Sequence, residues 1–302
     1  MTPVIAFGEL LYDCFPTGRK IGGAPLNFAW HMAAHGFPVR FCSAVGRDAD
    51  GGALLREVAA LGLATSDIGR SEAYPSGRVT VTLTPGGGHA FAIGTPAAWD
   101  DIPVPETLAA EAEKASAVCW GTLALRTPAN RDRCFALVRR ARRARKIFDV
   151  NLRQEFYSRE LLHEALGLCT VLKLSDEELP VLRGFFSLPA DDRGALAALS
   201  RDYAIPEILY TLGAAGAIGL ADGVFYEQPC IDAGPVADTV GCGDAFTAGW
   251  AAARLKGADF PTALEHAARV AGYVAAVRGA IPPACGSLYG RSFSTAAGSA
   301  SS

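Results

Sequence analysis

Asp238-Thr239-Val240-Gly241-Cys242-Gly243-Asp244 runs directly into Ala245-Phe246-Thr247-Ala248-Gly249-Trp250. Phe246, Trp250 and Ala253 recur at helical spacing, so the stretch reads as a loop entering a helix with an acid in its first turn. Gly241 and Gly243 let the backbone approach a ligand closely, and the N–H groups of a helix start form an anion site. A carboxylate there is out of place for phosphate binding alone, because it repels the anion. It suits a site where a base takes a proton from a hydroxyl while N–H groups stabilise a phosphoryl group moving towards that hydroxyl. The same residues would also serve as a helix cap and a turn, and spacing alone leaves both open. A dinucleotide fingerprint does not fit, since its third Gly would fall at Phe246, and no Gly-x-x-x-x-Gly-Lys-Ser/Thr occurs.

The elements that must hold this stretch are legible as apolar runs. Pro3 to Gly8 and Pro38 to Val45 read as buried strands. From Ala115 the rhythm is regular: Ala117 to Trp120, Ile147 to Val150, Val171 to Leu174 and Ile208 to Leu212, with helical stretches between them. Strands without alternation, spaced by helices, mean a parallel sheet covered on both faces. Ligands of such sheets sit beyond the carboxyl ends of the strands. Polar groups cluster there: Asp149, Asn151 and Arg153 after one strand, Lys173 to Glu178 after the next, Thr211 to Gly216 after a third. Asp149 and Arg153 would alternatively form a buried pair holding their loop. Asp176 to Glu178 would pass as the start of a helix leading to Leu182, and Thr211 to Ala217 as a hairpin turn.

Gly22-Gly23-Ala24-Pro25-Leu26-Asn27 runs into a helix through Ala34, and the glycine pair again suggests close backbone approach. Arg78 to Thr84, Pro85-Gly86-Gly87-Gly88 and His89 to Ile93 form a hairpin signal that interrupts the strand–helix rhythm. His89 is read as an exposed loop residue. His266 to Ala280 reads as an Ala-rich helix ending in Arg278-Gly279-Ala280.

Asp238 to Phe246 resembles the C-terminal signature of the ribokinase-like (PfkB) sugar kinases, with Cys242 where an Ala is usual. Gly22-Gly23-Ala24-Pro25-Leu26-Asn27 resembles their N-terminal signature in the form usual for fructokinases. Gly46 to Gly51 resembles the family's Gly-x-Asp-x-x-Gly turn. Asp149-Val150-Asn151-Leu152-Arg153, Ser175-Asp176-Glu177-Glu178 and Thr211 to Gly216 match further motifs, with Ser175 in place of an Asn. The resemblance runs from about residue 4 to about 290.

The resemblance implies an α/β fold: a doubly wound, mostly parallel sheet flanked by helices, with a small β-sheet lid. It implies one kinase domain over residues 1–295, the lid formed by about 9–22 and 75–100. The activity implied is transfer of the γ-phosphoryl group of ATP to a sugar hydroxyl, with fructose ahead of 2-keto-3-deoxygluconate and ribose. Asp244 would be the catalytic base, and the amides of Gly241, Cys242 and Gly243 the anion hole. Asp13, Gly22, Gly23, Asn27 and Arg153 would bind the sugar. Lys173, Thr211, Gly213 and Gly216 would flank the nucleotide. Glu178 would act on Mg²⁺ through water, and Asp238 would hold a monovalent cation such as K⁺. The lid often forms a dimer contact in related kinases, so a homodimer is a further expectation. Two other classes compete: a sugar- or nucleotide-binding protein that has lost catalysis, which Ser175 would favour, and a nucleotide-dependent oxidoreductase, which lacks its glycines here.

Half of the 302 residues are hydrophobic, 20% are charged, and the net charge is −3, which gives no footprint for nucleic acid as the main partner. Six basic residues between Arg139 and Lys146 are expected on the solvated end of a helix. No apolar run reaches membrane-spanning length, and no basic-then-apolar signal opens the chain. The eight cysteines (14, 42, 119, 134, 169, 230, 242 and 285) include no Cys-x-x-Cys pair, as expected for reduced thiols in a cytoplasmic protein. The tail 296–302 is small and polar, and is expected to be disordered.

Overall fold

The computed structural model describes residues 1–83 and 89–293. In chain order the strands are β1 (Val4–Phe7), β2 (Leu11–Phe15), β3 (Gly18–Gly22), β4 (Val39–Gly46), β5 (Ile68–Ser71), β6 (Gly77–Leu83), β7 (His89–Ile93), β8 (Ala117–Gly121), β9 (Arg145–Asp149), β10 (Val171–Ser175), β11 (Glu207–Thr211), β12 (Ala217–Ala221) and β13 (Val224–Gln228). The helices are α1 (Ala24–Ala34), α2 (Ala49–Ala60), α3 (Glu106–Glu111), α4 (Pro128–Arg140), α5 (Arg159–Leu166), α6 (Leu179–Phe186), α7 (Asp192–Asp202), α8 (Cys242–Leu255), α9 (Phe260–Ala275) and α10 (Gly286–Tyr289).

A nine-stranded sheet runs β13-β12-β11-β10-β9-β8-β1-β4-β5. All its neighbours from β11 to β5 are parallel. Strand β1 shows why these segments read as unbroken apolar runs. Ile5 and Phe7 face one core, with Phe135, Leu162, Leu182 and Leu199 of α4 to α7. Val4 and Ala6 face the other, with Leu26, Phe246, Trp250 and Val270 of α1, α8 and α9. Both faces are buried, so alternation disappears. Each large apolar side chain so buried contributes about 1.5–3 kcal/mol.

Strand order reverses at β1: β4 and β5 extend one way, and β8 to β11 extend the other. The crevice at that reversal, outside the carboxyl ends, is where open α/β sheets bind ligands. Over this end lies the second sheet, ordered β3-β2-β6-β7. Arg19 of β3 and Arg78 of β6 both pair with the buried Asp50 of α2, which ties the small sheet to the body. Asp48 explains the turn before α2. One carboxylate oxygen caps the Gly51 N–H at 2.7 Å, and the other accepts from the Ser76 N–H at 2.8 Å.

Four expectations change. The basic run does not lie on one helix: α4 ends at Arg140, while Arg145 and Lys146 open β9. Arg145 is there because Glu207 of β11 pairs with it and with Arg254. The Ala-rich helix is α9, which starts earlier and stops at Ala275, so Gly279 and Ala280 lie beyond its end. The turn after β11 leads into two antiparallel strands, β12 and the edge strand β13, that the periodicity did not reveal. Residues 97–100 pack in the main core around the buried Trp99, while the second sheet's strands span 11–22 and 77–93. The Pro85 to Gly88 turn and the 296–302 tail lie outside the described residues. Among the described residues, no helix is long and apolar enough to cross a membrane.

Candidate active site

Helix α8 begins at the crevice. Its N-cap, Gly241, takes the left-handed conformation (φ 79°), and a Cβ there would stand 2.3 Å from the Cβ of Ala280. Both the turn and the contact therefore require glycine. Asp244 sits half-buried in the first turn. Its Oδ2 accepts a 2.8 Å hydrogen bond from Nδ2 of Asn27 in the first turn of α1, so two helix starts meet across 217 residues of sequence. Burial, then the negative charge of Asp149, push the Asp244 carboxyl from 3.8 up to about 7, against the pull of Asn27, Lys173 and Arg153. A carboxylate that titrates near neutrality is matched to proton abstraction at physiological pH.

Beneath it lies a buried ion pair. Lys173, 7% exposed, places its ammonium 3.1 Å from Oδ1 of Asp149. Asp149 Oδ2 accepts from the Thr247 hydroxyl at 3.3 Å, which binds Asp149 to α8. This replaces the alternative Asp149–Arg153 pair. Arg153 is exposed, held by its own loop through the Leu152 carbonyl. Burial alone would depress the Lys173 ammonium. The charges of Asp149, Glu178 and Asp244 outweigh it and hold the group above its ordinary value. Lys173 thus stays cationic. Its Nζ is 3.2 Å from where a Cβ of Gly243 would stand, so the charge lies against the backbone at the start of α8.

Glu178 is also buried, and both its oxygens accept from backbone: Leu152 N–H at 3.0 Å and Ser175 N–H at 2.7 Å. It ties together the loops after β9 and β10. Because Ser175 joins this tie through its amide, the loop holds without the side chain of an Asn. The Cys242 amide turns back to the Thr239 carbonyl at 3.3 Å. The Gly241, Gly243 and Asp244 amides have no acceptor among the described residues, as the start of a helix leaves them.

On the small sheet, Asp13 lies on β2, and a Cβ on Gly22 would strike its carboxylate at 2.4 Å. Burial raises the Asp13 carboxyl, and Arg153 and Lys20 oppose that rise, so the Arg153 charge reaches it. Oδ1 of Asn27 is buried with no hydrogen-bond partner among the described residues. Such an orphaned acceptor costs about 1–3 kcal/mol unless something donates to it. Thr211 ends β11 in register with Ser175, and Gly213 and Gly216 form the turn beyond it, so these three line the next strand end. Asp238 stands apart from the carboxylate cluster. It accepts from Val240 N–H at 3.0 Å and from Gly279 N–H at 3.1 Å, stitching the signature loop to the segment after α9.

The pfkB family carbohydrate kinase model matches residues 3–285. The chain belongs to that family. It is therefore a carbohydrate kinase, a phosphotransferase with an alcohol acceptor, and the oxidoreductase alternative falls. It is 28% identical to the fructokinase of Escherichia coli over 266 residues, 82% of each chain. It superposes on the ATP-bound fructokinase of Xylella fastidiosa with a TM-score of 0.81 at 25% identity, covering 92% and 94% of the two chains. Aminoimidazole riboside kinase from Salmonella enterica shares the fold at 20% identity (TM-score 0.78, 94% and 97% covered). The ribokinase-like fold is thus common to kinases of different acceptors.

Sequence reasoning passed over Glu9. It is 4% exposed and lines a cavity of about 20 Å³ at the crevice base, with Asp149, Asn151, Asp244 and Thr247. Burial pushes its carboxyl up to about 7, Arg153 pulls it down, and the Asp244 charge adds to the rise. An acid at the carboxyl end of a buried strand, where Asp149 also lies, was the signal that would have found it. Thr247 carried no such signal, because a threonine inside a helix is ordinary.

Proposed function

We propose that this kinase transfers the γ-phosphoryl group of ATP to a hydroxyl of a neutral sugar, with fructose the preferred acceptor. The observation that carries the reading is Asp244: a carboxylate with an upward-shifted pKa, hydrogen-bonded to Asn27, in the first turn of a glycine-capped helix beside a buried lysine. Asp13 and Asn27 hold the sugar, and the orphaned Oδ1 of Asn27 is an acceptor for one of its hydroxyls. Asp244 takes the proton of the attacking hydroxyl. The Gly243 and Asp244 amides and the Lys173 ammonium offset the charge of the moving phosphoryl group. Positioning and charge stabilisation carry most of such a reaction. The second sheet excludes water from the crevice, preventing ATP hydrolysis. These features speak against a binding protein that has lost catalysis.

Among the described residues no three acidic, His or Cys side chains cluster as a metal cage. That fits Mg²⁺, which keeps several waters and arrives on substrate phosphates. Glu178 would meet it through water, and the ion would neutralise triphosphate charge. Thr211, Gly213 and Gly216 flank the nucleotide. Asp238 would hold a monovalent cation, and a homodimer would form through the second sheet.

The charge at the sugar end favours a neutral acceptor. Glu9, Asp13 and Asp244 face it against the Arg153 guanidinium, so a sugar acid adds a like charge. The likeness to fructokinases supports fructose among neutral sugars. The test is ADP release with ATP and fructose, ribose and 2-keto-3-deoxygluconate in turn. The highest kcat/KM is expected with fructose. Preference for the keto-acid would overturn the assignment and make Arg153 the specificity residue, through pairing with the substrate carboxylate.

A further inference from the structure

Asn27 and His31 of helix α1 and His35 at its C-cap lie on one face, four residues apart. Asn27 reaches Asp244, as described. His31, 0% exposed, lies one turn deeper: Nε2 is 3.0 Å from the carbonyl oxygen of Ala280, and Nδ1 is 2.9 Å from the Tyr289 hydroxyl. A carbonyl only accepts, so the proton sits on Nε2, and Nδ1 accepts from the Tyr289 O–H. His35 sits behind it, with Nδ1 2.7 Å from the His31 carbonyl and Nε2 3.0 Å from His266 Nε2.

Ala280 belongs to the segment after α9 that underlies the anion hole. Its Cβ and Cα would lie 2.3 and 2.7 Å from a Cβ on Gly241, so backbone packs on backbone. Its neighbour Gly279 donates to Asp238, whose other oxygen accepts from Val240. This segment has no helix or strand of its own to hold it. It is pinned from the signature loop on one side and from α1 on the other, where His31 grips it.

We infer that His31 is a positioning residue for phosphoryl transfer: by holding the Ala280 carbonyl it fixes the segment against Gly241 and so sets the amides at the start of α8. Asn27 and His31 then align base and cradle from a single rigid helix. The inference rests on the base-and-cradle reading above. Burial keeps His31 neutral, pushing it down to about 3, so its contribution carries no pH dependence across the working range.

His31→Leu removes the donor, and His31→Gln restores one at the reach of Nε2. A 1 Å misplacement of catalytic groups costs up to about 10²-fold, so His31→Leu is expected to lower kcat about 10- to 100-fold, with KM for fructose within about threefold. His31→Gln is expected to return kcat to within about threefold of wild type, and the acid limb of the pH profile should not move in either variant. An unchanged kcat in His31→Leu, or a His31→Gln no better than His31→Leu at equal folded content, overturns the inference. If His31→Leu fails to fold, Tyr289→Phe decides, because it keeps the ring and removes only the hydroxyl that orients His31. Reduced kcat at unchanged KM supports the inference, and unchanged kcat refutes it. Asp244→Asn is run alongside. If it retains turnover, the base-and-cradle reading itself fails; if it is dead while His31→Leu is active, only the role of His31 fails.

Discussion

Asp244→Asn separates chemistry from architecture, because loss of a buried base lowers the rate and raises stability, whereas loss of a cap residue to its amide changes neither. The substitution keeps the size of the side chain and an oxygen for the Asn27 N–H, but removes proton acceptance. Loss of a general base costs about 10²- to 10⁴-fold in rate. The folded-state pKa of about 7 stands above the ordinary 3.8. The folded protein therefore binds the proton more tightly than the unfolded chain, and Asp244 increasingly opposes folding as pH rises from 3.8 to about 7. The full rise corresponds to about 4 kcal/mol as an upper bound, reached above pH 7 and about 1.6 kcal/mol at pH 5. The variant should thus melt higher than wild type at pH 8, with the gap narrowing towards pH 5. A helix cap alone predicts no such gain, because Asn caps a helix about as well as Asp. In wild type, about one tenth of Asp244 is ionised at pH 6 and about nine tenths at pH 8. The kcat/KM for fructose should accordingly fall on the acid side of about pH 7. Glu9→Gln removes a carboxylate coupled to Asp244 and should move that limb to lower pH. The assay is ADP release from pH 5.5 to 9, with melting curves at both ends. Near-normal turnover of Asp244→Asn with no rise in Tm at pH 8 would refute the reasoning.

Lys173→Met leaves Asp149 buried without its cation, which costs about 3–5 kcal/mol; chemical denaturation should show that loss, and kinetics a raised KM for ATP. Adding Asp149→Asn should recover much of the stability without recovering the affinity. Glu178→Gln turns an amide N–H₂ towards one of two backbone donors, so about 1–3 kcal/mol should be lost, and the Mg²⁺ concentration for half-maximal rate should rise. Potassium should raise the rate over a bulky organic cation at matched ionic strength, and Asp238→Ala should abolish the difference; equal rates in wild type would count against the cation site.

Backbone-level features were legible in the residues themselves. A glycine-capped helix start with an acid in its first turn, and apolar runs ending in polar clusters, depend on neighbours within a few positions. Local chemistry therefore announced α8, the parallel strands and the carboxyl-end site. Strand β13 escaped because an edge strand with exposed Val224 and Glu227 lacks the apolar run of a buried one, and β12 because its Ala- and Gly-rich run was taken with the turn before it. Partnerships were decided only in three dimensions. Asp149 looked equally able to pair with Arg153, four residues beyond its strand end. The neighbouring strand instead brings Lys173 to 3.1 Å and leaves Arg153 exposed. The upward shifts of Asp244 and Glu9 likewise arise from burial and from charges on other elements, which no local pattern encodes. The pairs Asn27–Asp244 and His31–Ala280 span 217 and 249 residues. They exist because the sheet reverses at β1 and brings the first helix of the chain against its last long loop. The residue types were chosen in the sequence, and the distances and charges that give them function were set by packing around that reversal.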